Sequence, residues 1–281
     1  MGAIRRRYRR ARTFGSRDGR IHTASRANRL LASRGPRRNA HDRSFREQRM
    51  PSTRTLVVVL AAAIAASALT SGVVTGASRT PKLDSTQGLD LVTAQAEVVT
   101  WQGRRAIHLS PLAGQAKDDH AIMAVLTGTE FHDGVIELDV SGAPRADADP
   151  TSRGFVGLAF RVQGGDSITK FECCYIRPTN GRSDDQVLRN HSVQYQEYPD
   201  YSWKKLREQS PGVYESYADL VPGVWTHLKV DVRGVKARLY VNGASQPALV
   251  VNDLKAGDAS GAIALWSYTS TEGYFTNLKV H

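Results

Sequence analysis

Residues 134–140 read Gly134-Val135-Ile136-Glu137-Leu138-Asp139-Val140. Ile136, Leu138 and Val140 alternate with Val135, Glu137 and Asp139, and a two-residue period puts the two sets on opposite sides of an extended chain. The stretch is therefore a strand with one buried face, as antiparallel sheets provide. The same reading predicts strands over 154–162, 170–177, 192–196, 214–220, 225–232, 236–241, 262–268 and 273–280. Turn residues separate nearly all of them: Gly164-Gly165-Asp166, Pro178-Thr179-Asn180-Gly181, Pro222-Gly223, Arg233-Gly234 and Asn242-Gly243. Helical periodicity is scarce. Many short antiparallel strands in about 200 residues predict an all-β fold, an antiparallel β-sandwich of jelly-roll type, as one domain over 79–281. The acidic run 142–152 reads as a loop. The polar stretch 180–212 reads as a long excursion between strands, functional or partly helical at that length.

The chain has 281 residues and a formal net charge of +11, with 41% hydrophobic, 23% charged and 7% aromatic residues. That balance excludes collagen-like, coiled-coil and wholly disordered chains. The charge is unevenly placed. Residues 1–54 hold 17 of the 38 basic residues, all arginine, against Asp18, Asp42 and Glu47, which leaves 21 basic and 24 acidic residues in 55–281. The body is thus slightly acidic, and nucleic acid is excluded as a partner. Leu56 to Leu69 reads LVVVLAAAIAASAL, after Arg54 and before small residues. This predicts a secretory signal peptide over 50–78, beginning at Met50, with 1–49 an arginine-rich disordered segment or over-extended start. Residues 55–78 are uncharged for 24 positions, and about 20 cross a bilayer. A membrane is therefore a partner only if the leader is uncleaved; its Ala, Ser, Thr and Gly content favours cleavage. Either way the body is expected to be secreted or in the cell envelope. Cys173 and Cys174 are the only cysteines. No disulfide framework is expected, and one of the pair should face inwards and the other outwards.

Five segments carry a family likeness: FHDGVIELDV over 131–140, GFVGLAFR over 154–161, WTHLKVDVRGVKARLYVNG over 225–243, GAIALW over 261–266 and YFTNLKV over 274–280. Together they resemble the concanavalin A-like, laminin-G-like jelly rolls, and look most like the secreted bacterial branch of the 3-keto-disaccharide hydrolase family. The resemblance covers 84–281. It implies a curved sheet whose concave face carries a glycan site, with an oligo- or polysaccharide as partner.

Strand parity nominates the side chains for such a face. Glu137 and Asp139 point away from the core of their strand, and the same alternation turns out Arg161, Tyr175, Arg177, Gln194, Glu215, Tyr217, Trp266 and Tyr268. Converging, they would make a groove with carboxylates, arginines and rings. Sugars stack on Trp and Tyr, and their hydroxyls bond to carboxylates, guanidinium groups and amides. Arg161, Tyr175, Arg177, Gln194, Tyr217 and Trp266 are the substrate-binding candidates, with Trp266 stacking. Glycoside cleavage needs two carboxyl groups about 5–5.5 or 6.5–9.5 Å apart. Glu137 with Glu215 is the leading pair, and Asp139 the substitute. Elimination on a 3-keto sugar would use a base instead, His191 or Glu137. Laminarinase-type relatives carry an E-x-D-x-E run; Ser141 stands where the third acid would be, which counts against a retaining β-glucanase. Asp147, Asp149, Asp184 and Asp185 offer oxygens, but calcium takes six to eight ligands. A structural or assisting divalent cation such as calcium stays open, and no metal site is assigned. The alternative to an enzyme is a lectin-like glycan-binding or adhesion module; a ligand-free envelope protein is the third reading. Six of the ten tyrosines, 175, 195, 198, 201, 214 and 217, are either a binding platform or the glue of a long loop. Trp101 and Trp225 are expected in the core.

Overall fold

Ile136, Leu138 and Val140 are fully buried in a computed structural model that describes residues 82–115, 120–165 and 167–281. The expectations for 1–49 and 50–78 lie outside the described residues. Among the described residues fourteen strands form two seven-stranded sheets, all pairings antiparallel. The front sheet runs β1 (Leu89–Val92), β4 (Ala121–Leu126), β13 (Ala262–Tyr268), β6 (Val156–Gln163), β7 (Lys170–Ile176), β8 (Val193–Tyr198), β9 (Glu215–Ser216). The back sheet runs β12 (Leu249–Val251), β11 (Lys236–Val241), β10 (Thr226–Arg233), β5 (Gly134–Pro144), β14 (Thr271–Val280), β3 (Arg104–Pro111), β2 (Ala94–Trp101). The chain crosses repeatedly between sheets, so the C-terminal β14 lies between β5 and β3. This is an antiparallel jelly-roll sandwich.

The core is the interdigitation of the two inner faces. Ile136, Leu138, Val140, Leu228 and Val230 of the back sheet belong to one cluster with Val156, Leu158, Phe160, Ile263 and Leu265 of the front sheet. Each such burial contributes about 1.5–3 kcal/mol. A second cluster lies on the outer face of the front sheet, where Met123, Phe171, Cys173, Tyr175 and Trp266 pack with Phe155 and Tyr268. Both cysteines are accordingly buried and free. Cys174 faces the inner core and Cys173 the outer face, where the aromatic cover buries it as well.

Several expectations change. Over 214–220 only Glu215–Ser216 pairs as a strand, because Tyr214, Ala218 and Leu220 reach the core from irregular chain. Trp101 and Trp225 are half-buried rather than core residues. β10 buries Thr226, Leu228, Val230 and Val232, so Trp225 has the outward parity. Trp101 stacks on Tyr274, with ring centroids 4.2 Å apart. The excursion 180–212 is folded. It follows a 3₁₀ turn at Pro178–Asn180 and carries α1 (Gln186–Asn190), β8 and α2 (Trp203–Gln209). Asp185 caps α1 by accepting from the Val187 and Leu188 amides, and Ser202 caps α2 by accepting from Lys205.

Candidate functional site

A cleft of about 440 Å³ opens on the outer face of the front sheet. Its floor follows from a missing side chain. Gly157 of β6 stands opposite Trp266 of β13 on one side and Tyr175 of β7 on the other. A Cβ at Gly157 would come within 2.7 Å of the Tyr175 Cβ and 2.3 Å of the Cys174 carbonyl oxygen. Its absence lets Tyr175 and Trp266 close over β6, ring centroids 4.6 Å apart. Trp266 is thereby fully buried and supports Tyr175 and Tyr268 from beneath. It cannot stack on a ligand, which corrects its expected role. The half-buried rings lining the cleft are Phe155, Trp203 and Tyr268.

The walls come from the excursion and from the loop after β5. Asn180, Leu188, His191, Trp203 and Arg207 line one side, and Thr151 and Arg153 another. Arg177 is 5% exposed. It donates to the His191 carbonyl (3.0 Å), the Gln194 Oε1 (3.0 Å) and the Tyr175 hydroxyl (2.8 Å). Its guanidinium lies over the rings of Tyr175, Phe155 and Trp203. Gln194 is buried beneath it, its amide donating to the Tyr195 and Tyr214 carbonyls. It positions Arg177 and does not line the cleft. Asn180 donates to the same His191 carbonyl at 3.3 Å, and its own Oδ1 is buried with no hydrogen-bond partner.

Glu215 sits at the boundary with a neighbouring depression that shares His191 and Arg207 and includes Tyr217. Arg207 clasps both Glu215 oxygens, at 2.6 to 3.1 Å, and His191 Nε2 lies 3.1 Å from Oε1. Burial lowers the His191 pKa, and the nearby Arg207 and Arg177 charges act in the same direction against Glu215. The balance favours the neutral ring. Tyr217 is exposed; its hydroxyl accepts from Arg189.

The other candidates lie elsewhere. Glu137 and Asp139 project from β5 in the back sheet, on the opposite side of the sandwich from Glu215. Glu137 and Glu215 therefore cannot flank one glycosidic bond, and Asp139 cannot substitute. Asp139 accepts from Arg104, from His227 Nδ1 at 2.6 Å and from Asn277 at 3.1 Å. Burial alone would raise its pKa, but these three donors outweigh it and hold the carboxyl below its ordinary value. Arg161 is also displaced. A bulge follows Phe160 in β6, with Arg161 at φ +53°. Its fully buried guanidinium donates to the carbonyls of His132, Gly234 and Gly257 and to Asp133. It ties together the loops at one end of the sandwich instead of orienting a sugar.

Three of the four acids that could offer oxygens to a cation serve locally: Asp149 accepts from Thr151, Asp147 from Arg145, and Asp185 caps α1. His132, Asp133 and Asp258 bring ligand atoms within 4.8 Å of one another, but the Arg161 guanidinium lies 3.2 and 3.8 Å from the two carboxylates. That cation already occupies the acids. Of the ten residues nominated by the sequence, Tyr175, Arg177 and His191 line the cleft. Gln194 and Trp266 support it, and Glu215 and Tyr217 line the adjoining depression. Parity found Tyr175 of β7, Arg177 just beyond it and Tyr268 of β13. It did not find Trp203, Arg207, Asn180 and Arg153, which lie on helices, turns and loops without a two-residue period. The arginine and aromatic content of the excursion was the only signal for Trp203 and Arg207; Asn180 and Arg153 had none. Among the tyrosines, 195 and 214 are core and 175 and 217 face the two depressions.

No protein-family model matches the chain, and a search of curated proteins finds no match. Solved structures similar to it include the carbohydrate binding module CBM66 from Bacillus subtilis, 13% identical, covering 70% of this chain and 98% of that one, with a TM-score of 0.46. A Bacillus subtilis protein with a galectin-like fold is 14% identical, covering 71% and 92%, TM-score 0.46. Peanut lectin is 10% identical, covering 69% and 93%, TM-score 0.39. Likeness at this level carries no argument about function, and the fold rests on the strand order given above.

Proposed function

We propose that this protein binds carbohydrate in the cleft over β13, β6 and β7, as an exported protein whose leader delivers it outside the cytoplasm. The observation that carries this reading is the convergence of Phe155, Trp203 and Tyr268 with Arg153, Arg177 and Asn180 in one cavity of about 440 Å³. Small-ligand sites span roughly 300–1,000 Å³ and combine ring faces with a few fixed polar groups. Sugars need that combination, an apolar ring face to stack and donors or acceptors for the hydroxyls. Titration of the full chain with an oligosaccharide panel by calorimetry tests it. At least one sugar should bind, and Trp203→Ala should weaken that binding about tenfold, close to 1.4 kcal/mol. Absence of any saccharide binding, or a Trp203→Ala variant that binds as the parent does, would overturn it.

A second reading, cleavage, draws on His191, a ring 3.1 Å from Glu215 where the two depressions meet, its neutral form favoured by burial. A neutral imidazole can take the proton beside a ketone carbonyl, the step that elimination on a 3-keto sugar needs. Hydrolysis by a carboxylate pair has less support, because the residues lining the cleft include no Asp or Glu. Turnover of a 3-keto disaccharide that disappears in His191→Gln while binding persists would establish the second reading. Binding without turnover on any glycan would leave the first alone.

A further inference from the structure

We infer that the saccharide is an acidic one, its carboxylate held by Arg177 and Arg153 while a hydroxyl of the same sugar donates to Asn180. This deepens the carbohydrate reading and rests on it.

Two arginines are buried among the described residues, Arg161 and Arg177. Arg161 has its countercharge, Asp133, at 3.2 Å. Arg177 has none: its recorded partners are a carbonyl, an amide oxygen, a hydroxyl and ring faces. Burying a guanidinium without an anion is costly, and three of its five N–H groups are engaged by neutral oxygens. Arg153, half-buried on the same cleft, donates only to the Pro150 and Ser152 carbonyls. The third arginine there, Arg207, is neutralised by the clasp on Glu215. The lining contains no carboxylate, and with Arg207 neutralised the remaining positive charge there is that of Arg177 and of Arg153, the latter also felt by Asp149 at the rim.

Asn180 supplies a second, independent observation. It is 2% exposed, and its Oδ1 is buried with no donor. The amide orientation is fixed by donation of Nδ2 to the His191 carbonyl, the oxygen that Arg177 also grips. The unmet acceptor thus lies beside the uncompensated cation. A bare anion satisfies the cation and leaves the acceptor orphaned; a neutral sugar does the reverse. A sugar acid answers both, with a planar carboxylate for the guanidinium fork and a hydroxyl for the amide oxygen.

The test is calorimetric titration of the full chain with glucuronate-, galacturonate- and mannuronate-containing oligosaccharides, their neutral counterparts, and sodium sulfate. An acidic oligosaccharide should bind at least about tenfold more tightly than its neutral counterpart in low salt. That preference should shrink in about 1 M salt, where screening reaches about 3 Å. Arg177→Gln should abolish the preference. Arg153→Gln should reduce it several-fold; that side chain holds only two loop carbonyls, so this variant keeps the test intact if the buried one misfolds. Glu137→Gln, on the other sheet, should bind as the parent does. Equal or tighter binding of neutral sugars would overturn this proposal and leave the carbohydrate reading standing. Sulfate competing as well as the acids would overturn it in favour of a simple anion site. Binding by none of these sugars, acidic or neutral, would remove both.

Discussion

On the back sheet Asp139 accepts from Arg104, His227 and Asn277, whereas on the front sheet Arg177 is buried with no carboxylate beside it. The two outer faces draw on the same residue types. On the back, His108 bridges Glu97 and Glu272, both at 3.0 Å, and stacks on Tyr274; charge is met by charge from neighbouring strands. On the front, aromatic packing forms a floor, and the helices of the excursion raise walls above it. Self-satisfied polar groups gain little from a ligand, while an orphaned acceptor and an unpaired cation gain a great deal. The contrast teaches that a binding face is marked by what its polar groups lack.

The contrast breaks most visibly if the front floor is not built as described. Trp266→Ala removes the buried ring beneath Tyr175 and Tyr268 and should cost about 3–5 kcal/mol in urea unfolding, with sugar binding lost as the floor collapses. A variant of parental stability would mean that the floor does not depend on it. A smaller effect is expected on the back: Asp139→Ala should cost about 1–3 kcal/mol by stripping three donors of their acceptor, yet leave sugar affinity unchanged. A parallel loss of affinity would show the two faces to be coupled.

A further difference is in pH dependence, where two buried carboxylates run in opposite senses. Asp139 has a lowered pKa, so its contribution is present above the ordinary carboxylate value of 3.8 and is lost as pH falls through the lowered one. Glu172 is pushed by burial up to about 7, against hydrogen bonds from the Tyr195 hydroxyl and the Ala256 amide. Its protonated form is favoured on folding, so stability should be greatest below its ordinary value of 4.5 and decline as pH rises towards about 7. Thermal unfolding from pH 4 to 8 should show that decline flatten in Glu172→Gln and persist in Asp139→Asn. An unchanged slope in Glu172→Gln would refute the assignment.

The site was less legible than the fold, for reasons visible in single residues. Alternation in 134–140 correctly turned Glu137 outwards, but an outward side chain on a sandwich has two opposite outsides. The pairing of β5 with β10 and β14 put Glu137 on the far one from Glu215. Arg161 shows a second failure, since a bulge interrupts the period that placed it. Trp266 shows a third. It faces outwards as parity requires, and Gly157 lets Tyr175 cover it.

What the sequence determined by itself is most of the strands after residue 130, though not β12 or the two-residue extent of β9, and which side of each faces the inner core, because a two-residue period is local and survives any arrangement of the strands. Sheet membership, the burial of an outward tryptophan and the convergence of Arg153, Arg177 and Asn180 were decided only by tertiary structure. They depend on hydrogen-bonded neighbours far apart in the chain and on helices folded back over a sheet, neither of which leaves a local pattern.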